Sequence, residues 1–316
     1  MRKKILFDHP MLPFEEFSVP GDLHPKPESS SGLVTEDRLL YYVSFGSGSS
    51  GNSAYIGSRN GGLIIDAGVR ADTIMDGLKA AGIQISAVKG ILLTHDHADH
   101  VRSTYTLLRN NRHLKLFCGN RTMEGILKRT SISKRIREYH VPVFMETPFR
   151  MLDFIITPFE VPHDSFQNFG YSIEFDNRKF VIATDVGSIT DRIRHYVAQA
   201  DYLVLESNYD REMLIGGRYP EYLKSRIMSG KGHLDNALAA AFLKEIWSPK
   251  LKHVFLCHLS KDNNTPAKAL KASKEALQSL NISVGNGHNT LDDRKAQIQL
   301  TVLPRFDSTP LYVLRP

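Results

Sequence analysis

The stretch Ile91-Leu92-Leu93-Thr94-His95-Asp96-His97-Ala98-Asp99-His100 decides how this chain is read. Its first residues close an apolar run, VKGILLT from Val88 to Thr94, that has the character of a fully buried strand. Four metal-competent side chains, His95, His97, Asp99 and His100, follow within six positions, where the strand passes into a helix beginning near Ala98. Alternation sends His95 and His97 to one side of the extended turn, while Asp99 and His100 swing toward a second point as the helix starts. Neutral imidazoles and carboxylates are donors that Zn²⁺, Mn²⁺ and Fe²⁺ accept. The plainer alternative is a polar loop of separately satisfied histidines, and the density of donors argues against it.

Working outward, the chain is a series of short apolar strands punctuated by glycine. Upstream lie LLYYVSF, the small-residue loop SFGSGSSGNS (44–53), AYIG, and GLIIDAG, in which Asp66 ends the strand LIID. Downstream lie LKLFC, FIITPFEV, GYSIEF, KFVIATD and DYLVLES, with helices expected over 71–81, 189–198, 220–228, 236–247 and 266–280. The last has Thr265 as N-cap and Pro266 in its first turn. This order predicts sheets covered by helices on the outside, and the strand pattern alone leaves open an α/β sandwich or a doubly wound sheet. Residues 1–38, rich in Pro, Glu and Ser and without periodicity, read as a flexible N-terminal extension to one domain over 39–316.

Of the 316 residues, 41% are hydrophobic and 23% charged, which excludes a mostly disordered chain. Cys118 and Cys257 form no CxxC pair and no disulfide framework, so they read as core residues of a protein in a reducing cytosol. No apolar run reaches the ~18 residues of a membrane span, and the start MRKKILFDHPMLPFEEF lacks a secretion signal, so a cytoplasmic protein without membrane contact is expected. The formal charge of +6 is unevenly spread. From Arg102 to His140 ten Lys and Arg face two acids, Glu124 and Glu138, a local +8 directly after the histidine motif. Solvated helix faces produce such runs, but at this place it points to a polyanionic partner.

HxHxDH after an apolar strand resembles the signature of the metallo-β-lactamase superfamily. That family needs a further histidine, an aspartate and a last histidine, each after a strand. His163 in FEVPHDSFQNFGYSIE, Asp185 in KFVIATDVGS and His258 in HVFLCHLSKDNNT fill those places, at intervals of 63, 22 and 73 residues from His100. The resemblance implies a four-layer αβ/βα sandwich and two divalent ions per chain, Zn²⁺ or Mn²⁺ with Fe²⁺ also acceptable. One ion would be held by His95, His97 and His163, the other by Asp99, His100 and His258, with Asp185 bridging them. Asp66 would orient the ligand loop, unless it is simply a turn residue at a strand end. His140, His195 and His253 lack the strand-end position, and His9, His24, His113 and His288 read as surface residues.

The stretches 44–53, 206–236 and 258–266 narrow the likeness to the YycJ/WalJ group, described as metal-dependent 5′→3′ exonucleases acting on duplex DNA. The resemblance implies phosphodiester hydrolysis by a hydroxide shared between the ions, with Asp99, Asp185 and His233 catalytic. His233 precedes a helix N-terminus, where it would touch the scissile phosphate or protonate the leaving oxygen, unless it only packs beneath the helix. Ser50 and Asn52 would cradle a phosphate, although a hairpin turn of small residues explains them equally well. Arg129, Lys134 and Arg135 would hold DNA backbone without reading sequence. One departure is Asp235 in GHLDN, where the group has Ser; both cap helices, but the added carboxylate would repel phosphate mildly. The rivals are a small-molecule ester, thioester or lactam hydrolase, an RNA-processing nuclease, and a metal-stabilised binding module. A diiron oxidoreductase would carry Glu in place of His97.

Overall fold

A computed structural model describes residues 38–287 and 293–316. The extension expected over 1–38 therefore lies, except for Arg38, outside the described residues, as do His9, His24 and His288. Two mixed sheets face each other. The first has seven strands in the order Tyr312–Leu314, Leu40–Gly46, Ser53–Ser58, Gly61–Ile65, Val88–Leu92, Lys115–Cys118, His140–Pro142. The second has eight, Val284–Gly285, Ile298–Val302, His253–Cys257, Tyr202–Glu206, Arg178–Ala183, Phe169–Phe175, Phe154–Glu160, Phe149–Met151. Hairpins build the antiparallel part of each sheet, and parallel strands joined through helices build the rest.

The strands are apolar on both faces because both faces are covered. In the first sheet Leu63 and Ile65 point between the sheets, toward Tyr171, Phe180 and Phe255 of the second, while Ile64 points outward to Ile74 and Leu78 of helix Ala71–Ala80. In the second sheet Tyr202 and Val204 point inward, and Leu203 and Leu205 meet Phe242 and Leu243 of helix Asn236–Ile246. This is the four-layer αβ/βα sandwich, and it resolves the choice that the strand pattern left open. Both cysteines are buried and free. Among the described residues no helix is long and apolar enough to cross a membrane.

The helix expected from Ala98 is broken into Ala98–Val101 and Thr104–Asn110. Ser103 N donates to Ala67 O at 2.8 Å rather than to the helical acceptor Asp99 O, which instead takes Asn52 N at 2.7 Å. The break thus ties the histidine motif to two other loops. The other expected helices lie in their places, Asn120–Lys128 and Arg211–Gly216 come in addition, and Thr265 caps Pro266–Gln278 through Lys268 N at 3.2 Å. His95, Asp66, Asp185 and His258 all follow the C-terminal ends of strands that run in one direction. They gather at one edge of the sandwich, where open α/β sheets place their sites.

Candidate metal centre

Three strand ends require an unusual backbone. Asp66, Asp185 and His258 have φ of 55°, 55° and 57°, a left-handed conformation that costs non-glycine residues energy and persists where surroundings enforce it. At each, the chain leaves its strand abruptly enough to aim a side chain across the sheet edge.

The histidines are oriented through their far nitrogens. His95 Nδ1 lies 3.0 Å from Thr94 Oγ1, His163 Nδ1 lies 3.0 Å from Gly232 O, and His258 Nδ1 lies 3.1 Å from Glu206 Oε1. Asp66 Oδ2 accepts from His100 Nδ1 at 2.7 Å and from Thr94 Oγ1 at 2.9 Å, while its Oδ1 accepts from Thr94 N at 2.8 Å. Asp66 thus links Thr94 and His100 at the base of the motif. In His95, His100, His163 and His258 a proton held on Nδ1 would leave the Nε2 lone pair facing the interior, whereas His97 turns its Nδ1 there. His95 Nε2 is buried there with no hydrogen-bond partner among the described residues, a costly state that a cation relieves.

The inward atoms form overlapping groups: His95, His97 and His163; Asp99, His100 and His258; and Asp185 with His95 and His100. His163 Nε2 is 3.2 Å from His97 Nδ1 and 3.5 Å from Asp185 Oδ1. On the other side Asp185 Oδ2 is 3.2 Å from His100 Nε2, and Asp99 Oδ2 is 3.4 Å from His258 Nε2. A tetrahedral site with metal–donor bonds of about 2.1 Å has edges of about 3.4 Å, so these separations suit a divalent ion. The seven expected ligand residues are brought together, and Asp185 lies between the two sets of histidines.

The electrostatics agree with that fit. Burial, and then His100, hold the His95 imidazole well below its ordinary range, so it is neutral. Burial opposes charge on His100 as well, yet Asp185, Asp66 and Asp99 lift it well above the usual range. Against burial, Asp185, Asp99 and Glu206 push His258 up to about 10. Asp185 is held well below the carboxylate range, against its burial, by His258, His100 and His95. The pocket is negative enough to keep protons on imidazoles, and the same field attracts divalent cations.

Other expected residues sit differently. His233 directs Nδ1 to Glu206 Oε1 at 2.8 Å, and its ring packs against His258 at 5.2 Å. With Asp185, Glu206 and His258 it forms a fourth donor group, beside the two expected ligand sets. Asn52 is buried within its loop: its Oδ1 accepts from Gly48 N at 2.8 Å and its Nδ2 lies 3.0 Å from His100 Nε2. It braces the motif and is not available at the surface as a phosphate contact, whereas Ser50 is exposed at the rim. Arg129 also turns inward, with Nε donating to Asp96 O at 2.6 Å, and Lys134 Nζ reaches Arg129 O at 3.2 Å. Asp235 is buried and caps its helix through Leu238 N at 2.7 Å, so the repulsion expected of its carboxylate falls away. Arg135 lies farther out, paired with Glu138 at 3.1 Å.

Glu206 is the residue that sequence reasoning missed. It is fully buried and accepts from Val186 N at 2.8 Å and Leu234 N at 3.0 Å, besides the two imidazoles. Its signal was present: like Asp66 and Asp185, it is a carboxylate ending a wholly apolar strand, here YLVLE. Ser47, whose Oγ accepts from His258 N at 2.9 Å, carried no such signal.

A family profile described as a beta-lactamase superfamily domain matches residues 63–258. Exodeoxyribonuclease YycJ of Bacillus anthracis is 32% identical over 267 residues, covering 82% of this chain and 98% of that protein. This chain is a YycJ/WalJ-like member of the metallo-β-lactamase superfamily. Exodeoxyribonuclease WalJ of Streptococcus pneumoniae is 31% identical over 244 residues, 77% of this chain and 90% of that protein. Among solved structures, the metallo-β-lactamase fold protein YhfI of Bacillus subtilis aligns with a TM-score of 0.61 over 86% of this chain and 99% of its own. At 15% identity that likeness concerns the fold alone. Family, fold and donor set make this chain a metal-dependent hydrolase.

Proposed function

We propose that this chain is a nuclease that degrades duplex DNA from its ends in the 5′→3′ direction with two divalent ions. The observation that carries the proposal is the pair of donor sets sharing Asp185, in a chain whose relatives bear the name exodeoxyribonuclease. One ion belongs to His95, His97 and His163, the other to Asp99, His100 and His258, with Zn²⁺ or Mn²⁺ best suited and Fe²⁺ compatible. When bound, such a pair supplies Lewis acidity and an activated water at neutral pH. Asp99 and Asp185 would act through the ions, Asp99 as a ligand of one and Asp185 shared between the two. Against burial, Glu206 raises the proton affinity of His233 and fixes its Nδ1–H, leaving Nε2 facing the cleft to protonate the departing oxygen. Exposed Ser50 lies at the rim, where a phosphate oxygen enters.

The test is metal-stripped protein reloaded with Mn²⁺ or Zn²⁺ and offered 5′-labelled duplex DNA, matching RNA and a thioester. Metal-dependent release of mononucleotides from DNA, lost in Asp185→Asn, is the expected result. Preference for RNA would move the substrate to an RNA-processing class, and turnover of the thioester alone would overturn the nuclease reading.

A further inference from the structure

A row of cations leads from the metal centre along the outer helical layer. Tyr105 and Arg109 stand four residues apart on one face of helix Thr104–Asn110, with Arg102 in the break before it and Arg112 just beyond its end. The row begins at the site: Arg102 Nη1 donates at 3.3 Å to Ser50 O, on the loop whose Asn52 braces Asp99 and His100. It ends in an open cavity of about 340 Å³, where Arg109, Arg112, Lys115 and Arg135 stand between Tyr105 and Tyr139. Lys115 opens its strand opposite Gly90, toward the end of the parallel strands remote from His95.

Charged helix faces ordinarily interleave acids one turn away, which neutralises neighbouring cations. Here helix Thr104–Asn110 contains no acid. Arg135 is paired with Glu138, but Arg109, Arg112 and Lys115 have no hydrogen-bond or ion-pair partner among the described residues. Four cations thus share one concavity with a single acid, Glu138, which leaves an excess of three positive charges. Continuity with Ser50 distinguishes a string of anions from a single compact one. The seven residues of helix Thr104–Asn110, between Arg102 and Arg112, rise about 10 Å, the length of roughly three nucleotides of one strand.

We propose that this row and its terminal cavity are a distal grip for the phosphate backbone of a nucleic acid whose end lies in the metal centre. The proposal rests on the nuclease reading for the direction of the strand, but not for the grip itself. It is tested with the full chain and the variant Arg109→Glu/Arg112→Glu/Lys115→Glu, none of which touches the metal centre. In EDTA, fluorescence anisotropy with a duplex of several turns is expected to show about tenfold or greater weakening in the variant. The slope of log Kd against log salt should fall by about 3, one for each lost phosphate contact. With metal, KM for the long duplex rises in parallel, while kcat and the turnover of a trinucleotide stay at wild-type values.

Unchanged duplex affinity and salt slope in the variant overturn the grip. So does equal loss on long duplex and trinucleotide, because the cations would then act at the reacting end. Equal wild-type affinity for polyglutamate and duplex would replace the nucleic acid by an acidic protein partner. A wild-type chain that binds duplex through this cavity but cleaves no nucleic acid overturns the nuclease reading and leaves the grip standing.

Discussion

Replacing Glu206 by Gln alters one atom beneath the candidate metal centre and is expected to disable it. Glu206 Oε2 accepts from Val186 N at 2.8 Å and Leu234 N at 3.0 Å, while Oε1 receives His233 Nδ1 at 2.8 Å and His258 Nδ1 at 3.1 Å. The two backbone donors cannot turn away, so the glutamine carbonyl must stay with them and its amide nitrogen must face the imidazoles. An imidazole opposite a donor has to accept at Nδ1, which moves its proton to Nε2. In His258 that is the atom 3.4 Å from Asp99 Oδ2, and once protonated it no longer offers a lone pair to an ion. Keeping the proton on Nδ1 instead sets donor against donor in a fully buried place, at about 1–3 kcal/mol for each unmet group. Changes to residues that orient metal ligands lower affinity about 10–100-fold, or roughly 1.4–2.7 kcal/mol. Competitive chelator titration with Zn²⁺ measures this directly, with hydrolysis of bis(p-nitrophenyl) phosphate as the parallel readout and circular dichroism as the check on folding. A folded Glu206→Gln protein with wild-type affinity and turnover would refute the reasoning.

Three further perturbations follow from geometry. In Gly68→Ala the new Cβ would lie 1.5 Å from Asp99 O and 2.7 Å from His100 N, both backbone atoms. It should cost about 3 kcal/mol in urea unfolding and weaken metal binding without removing a ligand, and a variant with wild-type values in both would contradict it. Asp235→Ala should lose about 1 kcal/mol of stability with its helix cap, whereas Asp235→Ser should stay within a few tenths; equal losses would show that the cap is not what matters. Burial pushes His253, stacked on Phe255, down to about 3. The unfolded chain therefore binds its proton first as pH falls below about 6.5, and stability drops by up to about 1.4 kcal/mol per pH unit until the folded form is protonated too. Urea titrations at successive pH values should show a shallower decline in His253→Phe than in the natural chain, and parallel curves would exclude the residue.

Much of this was legible in the chain itself. His95, His97, Asp99 and His100 stand in one motif, Asp66, Asp185 and His258 follow closely on apolar strands, and His163 stands three residues beyond one. Alternation along a strand and the abruptness of its end are local properties, so they survive in the sequence. Glu206 has the same position but belongs to no spaced motif, and its partners arrive from residues 186, 233, 234 and 258. Only tertiary structure assembles them. The basic segment shows the same divide: the count of cations is plain, but not that Arg129 turns inward to Asp96 while Arg109 and Arg112 line a cavity. Helical periodicity assigns a face, and what that face meets depends on chain far away. Asn52 was misjudged for the same reason, since its partners Asp99 and His100 lie 47 and 48 residues on.

The donors come from both sheets: His95, His97, Asp99 and His100 hang from the first, and His163, Asp185 and His258 from the second. Neither half of the sandwich owns a complete coordination shell. An ion settling there rivets the two layers at their edge, and it does so only after they have docked. Binding of an ion is therefore expected to stabilise the docked sandwich over either half alone.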